Sequence, residues 1–197
     1  MNRPHHRPML PGAELFDEIE SGVDPAVIGE AASRAATALV RRGHAEADDA
    51  LVARVVALAD DEGLDTLAAL WAGSPPDSLA GAVWRLYLLR TWITRNPQGI
   101  SEEFAAGRTH VPVADAISGV AQPPTPDELV GLADRVLQGL VVGDFADTLF
   151  RAAAFVRVVA AGRLGTSYTD DVSAARLGVL ADQLHHAGQL ELAGDLT

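Results

Sequence analysis

Three arginines stand five residues apart in the most aromatic stretch of the chain: Arg85, Arg90 and Arg95 lie in DSLAGAVWRLYLLRTWITRN, residues 77–96, among Trp84, Tyr87 and Trp92. A guanidinium fork matches a carboxylate or phosphate in both shape and charge, so Arg85 or Arg90 with Tyr87 offers contacts for a small anion. The spacing argues against one shared cradle, because five residues rotate an α-helix by roughly 140° and successive guanidinium groups leave the stripe. The structural alternative is that they snorkel past the rings or pair with acids of neighbouring helices. His110, in Arg108-Thr109-His110, and Arg157 complete the candidate ligand-binding set, and Asp115 is the carboxylate that would join them in an enzyme. The alternative for 108–110 is a plain loop turn.

Other chemistry is excluded by residue type. All 15 basic residues are arginine, so there is no lysine for a Schiff base, for holding pyridoxal phosphate or for a Walker A loop. The chain has no cysteine, which removes thiol nucleophiles, disulfides, Cys-ligated zinc and iron–sulfur clusters. Carboxylate-bridged di-iron sites need repeated Glu-x-x-His pairs, and the nearest match is Asp182-x-x-His185, once. His44 with Asp48 shares a helix face but lacks further ligands, and His185-His186 reads as solvated. The acids Asp60, Asp61, Glu62 and Asp65 do not follow the calcium-loop pattern and read as a charged corner. No nucleophile elbow surrounds Ser74, Ser78 or Ser118, and dinucleotide and zincin motifs are absent. No metal site or cofactor is therefore expected, and no recognisable catalytic set is present, although an enzyme with an uncommon site stays open.

The elements that would position these residues are helices. Residues 77–96 carry apolar side chains all round, which demands cover on most sides. Ser74-Pro75-Pro76-Asp77 predicts the start and Asn96-Pro97-Gln98-Gly99 the stop. A second stretch of this kind, residues 144–162, FADTLFRAAAFVRVVAA after Asp144, is interrupted by Arg151 and Arg157, with Asp147 at the reciprocal capping position. Around these two buried central helices the pattern predicts amphipathic rods. One runs from Asp24-Pro25 to about Arg42 with Ile28, Ala31, Ala35, Ala38 and Leu39 inward; others cover 46–62, 64–72, 101–108 and 113–120. Thr125-Pro126-Asp127-Glu128 is the strongest helix start, followed by the stripe Leu129, Leu132, Val136, Leu137 and Leu140. A loop at 162–169, a helix over 171–187 and a short piece after Gly188 close the chain, and no period-two alternation predicts a strand. Leu-Ala-Asp recurs at Leu58, Leu132 and Leu180, but the unequal intervals do not make a solenoid.

The expectation is an all-α, single multi-helix bundle over 13–197, with 1–12 as a flexible basic arm of prolines and arginines and a possible sub-boundary at 121–126. The net charge of −12 disfavours nucleic acid. Arg85 and Arg90 break the best candidate for a membrane span, and 1–12 lacks the apolar run of a secretory signal, so a cytoplasmic location is expected. LWAGSPPDSLAGAVWRLYLLRTWI together with GRTHVPVADAISGVA resembles a family of roughly 200-residue actinobacterial proteins of unassigned function, over about residues 70–161. That resemblance implies kinship and an all-helical fold, not an activity. The functional expectation is a protein-interaction or regulatory module, through a protein partner or a homodimer. Its rival is a small-anion binder or enzyme using Arg85, Tyr87, Arg90, His110 and Arg157.

Overall fold

In the computed structural model the described residues are 25–41, 70–110, 124–137, 144–164 and 168–197. They form six helices: α1 (Pro25–Val40), α2 (Leu79–Arg95), α3 (Pro97–His110), α4 (Pro126–Leu137), α5 (Phe145–Arg163) and α6 (Tyr168–Ala193). No strand occurs among the described residues. The expected arm at 1–12 and the expected helices over 46–62 and 113–120 lie outside them, as do residues 121–123 of the possible boundary.

α5 is the axis of the bundle. Leu149, Ala152, Ala153, Phe155, Val156 and Val159 point in different directions around it, yet each is fully buried, so the helix has neighbours on most sides. Its most extensive partners are α6 and α3. α2, the other central helix, packs mainly on α4 and α1 and keeps one open edge, where Leu88 is 41% exposed. Both helices contribute to one continuous core with Leu39, Trp71, Ile100, Leu129, Ala181 and Leu184. Phe104 of α3 stacks on Phe155 of α5 at 5.2 Å between centroids, and Trp71 donates from Nε1 to the Ala32 carbonyl at 3.2 Å.

Small residues set how closely the helices approach. A Cβ at Gly107 would lie 1.8 Å from the Val158 oxygen, and one at Gly162 would lie 1.9 Å from the Glu103 oxygen. The backbones of α3 and α5 therefore touch at this crossing. Gly162 belongs to α5 and does not open the expected loop. Gly188 is likewise helical: α6 runs on through it because the ring of Phe150 occupies the place of a side chain, 2.8 Å from a would-be Cβ. α6 ends instead at Gly194, whose φ of +78° suits glycine. There Asp195 N–H donates to the Leu190 carbonyl at 2.9 Å and Gly194 N–H to the Glu191 carbonyl at 3.1 Å, the Schellman arrangement.

The helix starts divide between expected and unexpected residues. Thr125 and Glu128 form the reciprocal box: Thr125 N–H donates to Glu128 Oε2 at 2.8 Å, and Glu128 N–H to Thr125 Oγ1 at 3.3 Å. Asp144 accepts from Ala146 N–H at 2.9 Å, whereas Asp147 takes Arg151 Nε at 2.7 Å in place of reciprocal capping. Ser78, not Ser74, caps α2, accepting from Gly81 N–H at 3.1 Å, because the two prolines are spent in the turn before it. Asn96 ends α2 and also begins α3, its Oδ1 accepting from Gly99 N–H at 3.3 Å. The expected start at Ser101 is thus a turn too late. On α1 the inward residues are Ala32, Ala35, Ala36, Ala38, Leu39 and Val40, while Ile28 is 41% exposed and Ala31 faces out.

Candidate functional site

Of the arginines read from the sequence, Arg85, Arg90 and Arg157 are tied to internal partners, while Arg95 is exposed. Arg85 donates from Nε to Gln183 Oε1 at 2.8 Å and from a terminal nitrogen to the Gly81 carbonyl at 2.9 Å. Burial holds its pKa below the ordinary guanidinium value, opposed by the charge of Asp77. Arg90 pairs with Asp134 of α4. Arg157 reaches Asp182 Oδ1 at 2.9 Å. Arg85 and Arg157 thus meet consecutive residues of α6, while Arg90 turns to another helix. Tyr87 is buried and stacks on Trp84 at 5.5 Å and 16°. His110 is exposed at the last turn of α3, its Nδ1 2.8 Å from the Ala106 carbonyl and 3.0 Å from Thr109 Oγ1. It sits in a helix, not the expected loop turn. Asp115, His44, Asp48 and the acidic corner at 60–65 lie outside the described residues. His185 is half-buried against Phe150, its Nδ1 without a hydrogen-bond partner. No cluster of three or more potential metal ligands occurs among the described residues.

The residues that sequence reasoning missed frame a different place. A cleft of about 870 Å³ opens between α1, the turn leading into α2 and the residues after α6. Ile28, Leu70, Leu79 and Leu196 give it an apolar surface, while Ser33, Thr37, Ser74 and Ser78 bring hydroxyl groups. None of the five expected ligand residues lines it. Arg41 forms its charged end, held by both oxygens of Glu191 and donating to the Leu196 carbonyl at 3.3 Å. The hydrogen bond to Glu191 raises the Arg41 pKa, against burial and with further charge attraction. The pair is therefore ionic and internally neutral, leaving no spare positive charge to draw an anion. Among the described residues next in sequence to the lining ones, Glu30, Asp77 and Asp195 are exposed, as is the cation Arg34. The rim is net acidic, in keeping with the whole chain.

The residues after the Schellman turn close one side of this cleft. Leu196 is 3% exposed and joins the core, and Thr197 offers its main-chain oxygen to Leu79 N–H at 2.8 Å. Leu79 N–H is one of the donors that a helix start leaves without an intrahelical acceptor. No single stretch announces the cleft, because its walls come from residues 28–41, 70–79 and 196–197.

No protein-family model, curated protein or solved structure matches the chain. No helix among the described residues is long and apolar enough to cross a membrane.

Proposed function

We propose that this chain is a protein-interaction module whose cleft beside α1 receives an apolar segment of a basic partner. The observation that carries the reading is the cleft itself: a mainly apolar surface that includes the exposed Ile28, with acids beside it and, among the described residues lining it, no group placed for bond-breaking chemistry. Apolar anchors in a concave site supply most of the energy of recognition, and complementary charge supplies encounter and selectivity. A basic partner is drawn by the net charge of −12.

A second reading has one observation in its favour. Small-molecule sites fall at roughly 300–1,000 Å³, and the cleft volume of about 870 Å³ lies within that range. One experiment separates the two. A photo-crosslinking amino acid at position 28, compared with the same group at exposed position 98 of α3, is tested in host extract at low and high salt. The interaction reading expects one recurring basic protein captured only from position 28, and lost as salt rises. Repeated empty captures, with a metabolite fraction raising the melting temperature, would replace it by the small-ligand reading.

A further inference from the structure

Among the residues bordering the cleft, Gly194–Thr197 form a strap of unusual construction. Gly194, Asp195 and Thr197 are exposed, and Leu196 alone is buried. Beyond the turn that launches it, the strap is held by two main-chain oxygens: that of Leu196 accepts from Arg41, and that of Thr197 accepts from Leu79 N–H. One apolar plug and two acceptors form a small anchorage. They are also what an extended peptide offers to a cleft of this kind, a side chain for the pocket and carbonyls for the fixed donors.

We infer that the strap is an internal occupant of the docking cleft, and that the partner enters by replacing it. The inference rests on the docking reading above and names the chemistry of the partner segment. It is extended, presents a leucine-sized side chain where Leu196 sits, and brings main-chain oxygens to Arg41 and Leu79 N–H. Its flanks are basic, to meet Glu30 and Asp77, which stay when the strap leaves. Arg41 serves either occupant, because Glu191 fixes its guanidinium through two contacts while leaving a donor for the carbonyl. Strap and partner share the same donors, so only one can be seated, and the free chain is self-inhibited.

The test uses the full chain and a fluorescent peptide of residues 191–197 as a strap supplied in trans. Leu196→Asp removes the plug and frees the cleft without shortening the chain. Fluorescence anisotropy is expected to show the peptide binding Leu196→Asp at least tenfold more tightly than the unmodified chain, with the gain lost when Arg41→Met or Ile28→Asp is added. Circular dichroism on each variant confirms that helix content is kept. Equal binding to the unmodified chain and Leu196→Asp, or binding that ignores both Arg41→Met and Ile28→Asp, overturns the inference, as does no binding to a Leu196→Asp chain that retains its helices. Crosslinking from position 28 keeps the two readings apart. Capture unchanged by Leu196→Asp refutes the strap and leaves the docking cleft standing. No capture from either chain refutes docking by a protein, while the peptide measurement still decides the strap.

Discussion

Replacing Gly107 by alanine tests the closest contact in the bundle. The added methyl would sit 1.8 Å from the Val158 oxygen and 2.8 Å from its carbon, where real Cβ contacts essentially never fall below 3.0 Å. Both atoms are backbone within helices, so no side-chain rotation relieves the overlap, and α3 must move off α5 by more than an ångström. Overpacking of a tight site costs about 1–3 kcal/mol. The movement also loosens the Phe104–Phe155 stack, an arrangement worth about 0.5–1.5 kcal/mol beyond its buried area. Together about 3 kcal/mol is lost, a large share of the roughly 5–15 kcal/mol that holds a domain folded. For a chain of this size that lowers Tm by roughly 6–12 °C. The assay is thermal and urea unfolding followed by circular dichroism, with Gly131→Ala as the control. At Gly131 the nearest atom to a new Cβ is the end of Arg135 at 3.7 Å, so that change is expected to stabilise by about 0.5–1 kcal/mol. A Gly107→Ala protein melting within 2–3 °C of the unmodified chain would refute the backbone contact between α3 and α5.

Three further outcomes follow from the geometry. Arg163 grips Glu103 through two nitrogens at 3.0 and 2.6 Å, reaches Ser173 at 2.6 Å and lies 5.3 Å over the Trp92 ring; Arg163→Ala should cost about 2–3 kcal/mol in urea unfolding, and Arg163→Lys should recover less than half, since an ammonium lacks the fork. His185 has its pKa lowered by burial, then by Arg157, with His186 adding and Asp182 opposing; the neutral ring belongs to the folded state, so stability should fall as pH drops below about 6.5, the ordinary histidine value, toward the lower folded one. His185→Gln should flatten Tm against pH between 7 and 5, and an unchanged slope would remove His185 from the account. The Glu128 carboxyl is held below its ordinary pKa first by Thr125 N–H and then by the Thr125 hydroxyl; its contribution is present above the ordinary carboxylate range and lost as pH falls through the folded pKa. Thr125→Ala should move the Glu128 carbon titration upward by NMR without returning it fully to the unfolded value.

What could be read from the sequence was local, and what could not was the meeting of distant residues. The caps at Thr125 and Asp144 were legible because a cap and its free N–H groups lie within three residues of each other. The two buried helices were legible because apolar residues on every side of a rod require cover whatever supplies it. Glycine was misread for a physical reason: Gly162 and Gly188 look like stops, yet each is a helical position where a backbone or a ring has taken the place of a side chain. Among the described residues Gly194 is the glycine with a positive φ, where α6 stops, and that φ has no mark in composition. Arg85, Arg90 and Arg157 were identifiable as charges in an apolar setting, but Gln183, Asp134 and Asp182 as their partners required the fold. Arg41, Arg163 and the cleft gave no signal at all, since their contacts join residues 28–41 to 191–197 and 103 to 163.

The chain has arginine and no lysine, and four of its arginines act as joints between elements. Arg41 binds α6 to the end of α1, Arg90 joins α2 to α4, Arg157 joins α5 to α6, and Arg163 joins α5 to α3 and α6. A planar fork suits such joints because it contacts two acceptors at once and is less strongly hydrated than an ammonium. Each joint pairs one cation with one carboxylate, so it leaves the net charge unaltered. The 27 acids outnumber the 15 arginines, and the excess faces outward at residues such as Glu30, Asp77, Glu102, Asp127 and Asp195. Since each joint is neutral, the charge around the cleft is set by the acids left over, and on the docking reading that excess, not the arginines, is what would favour a cationic partner.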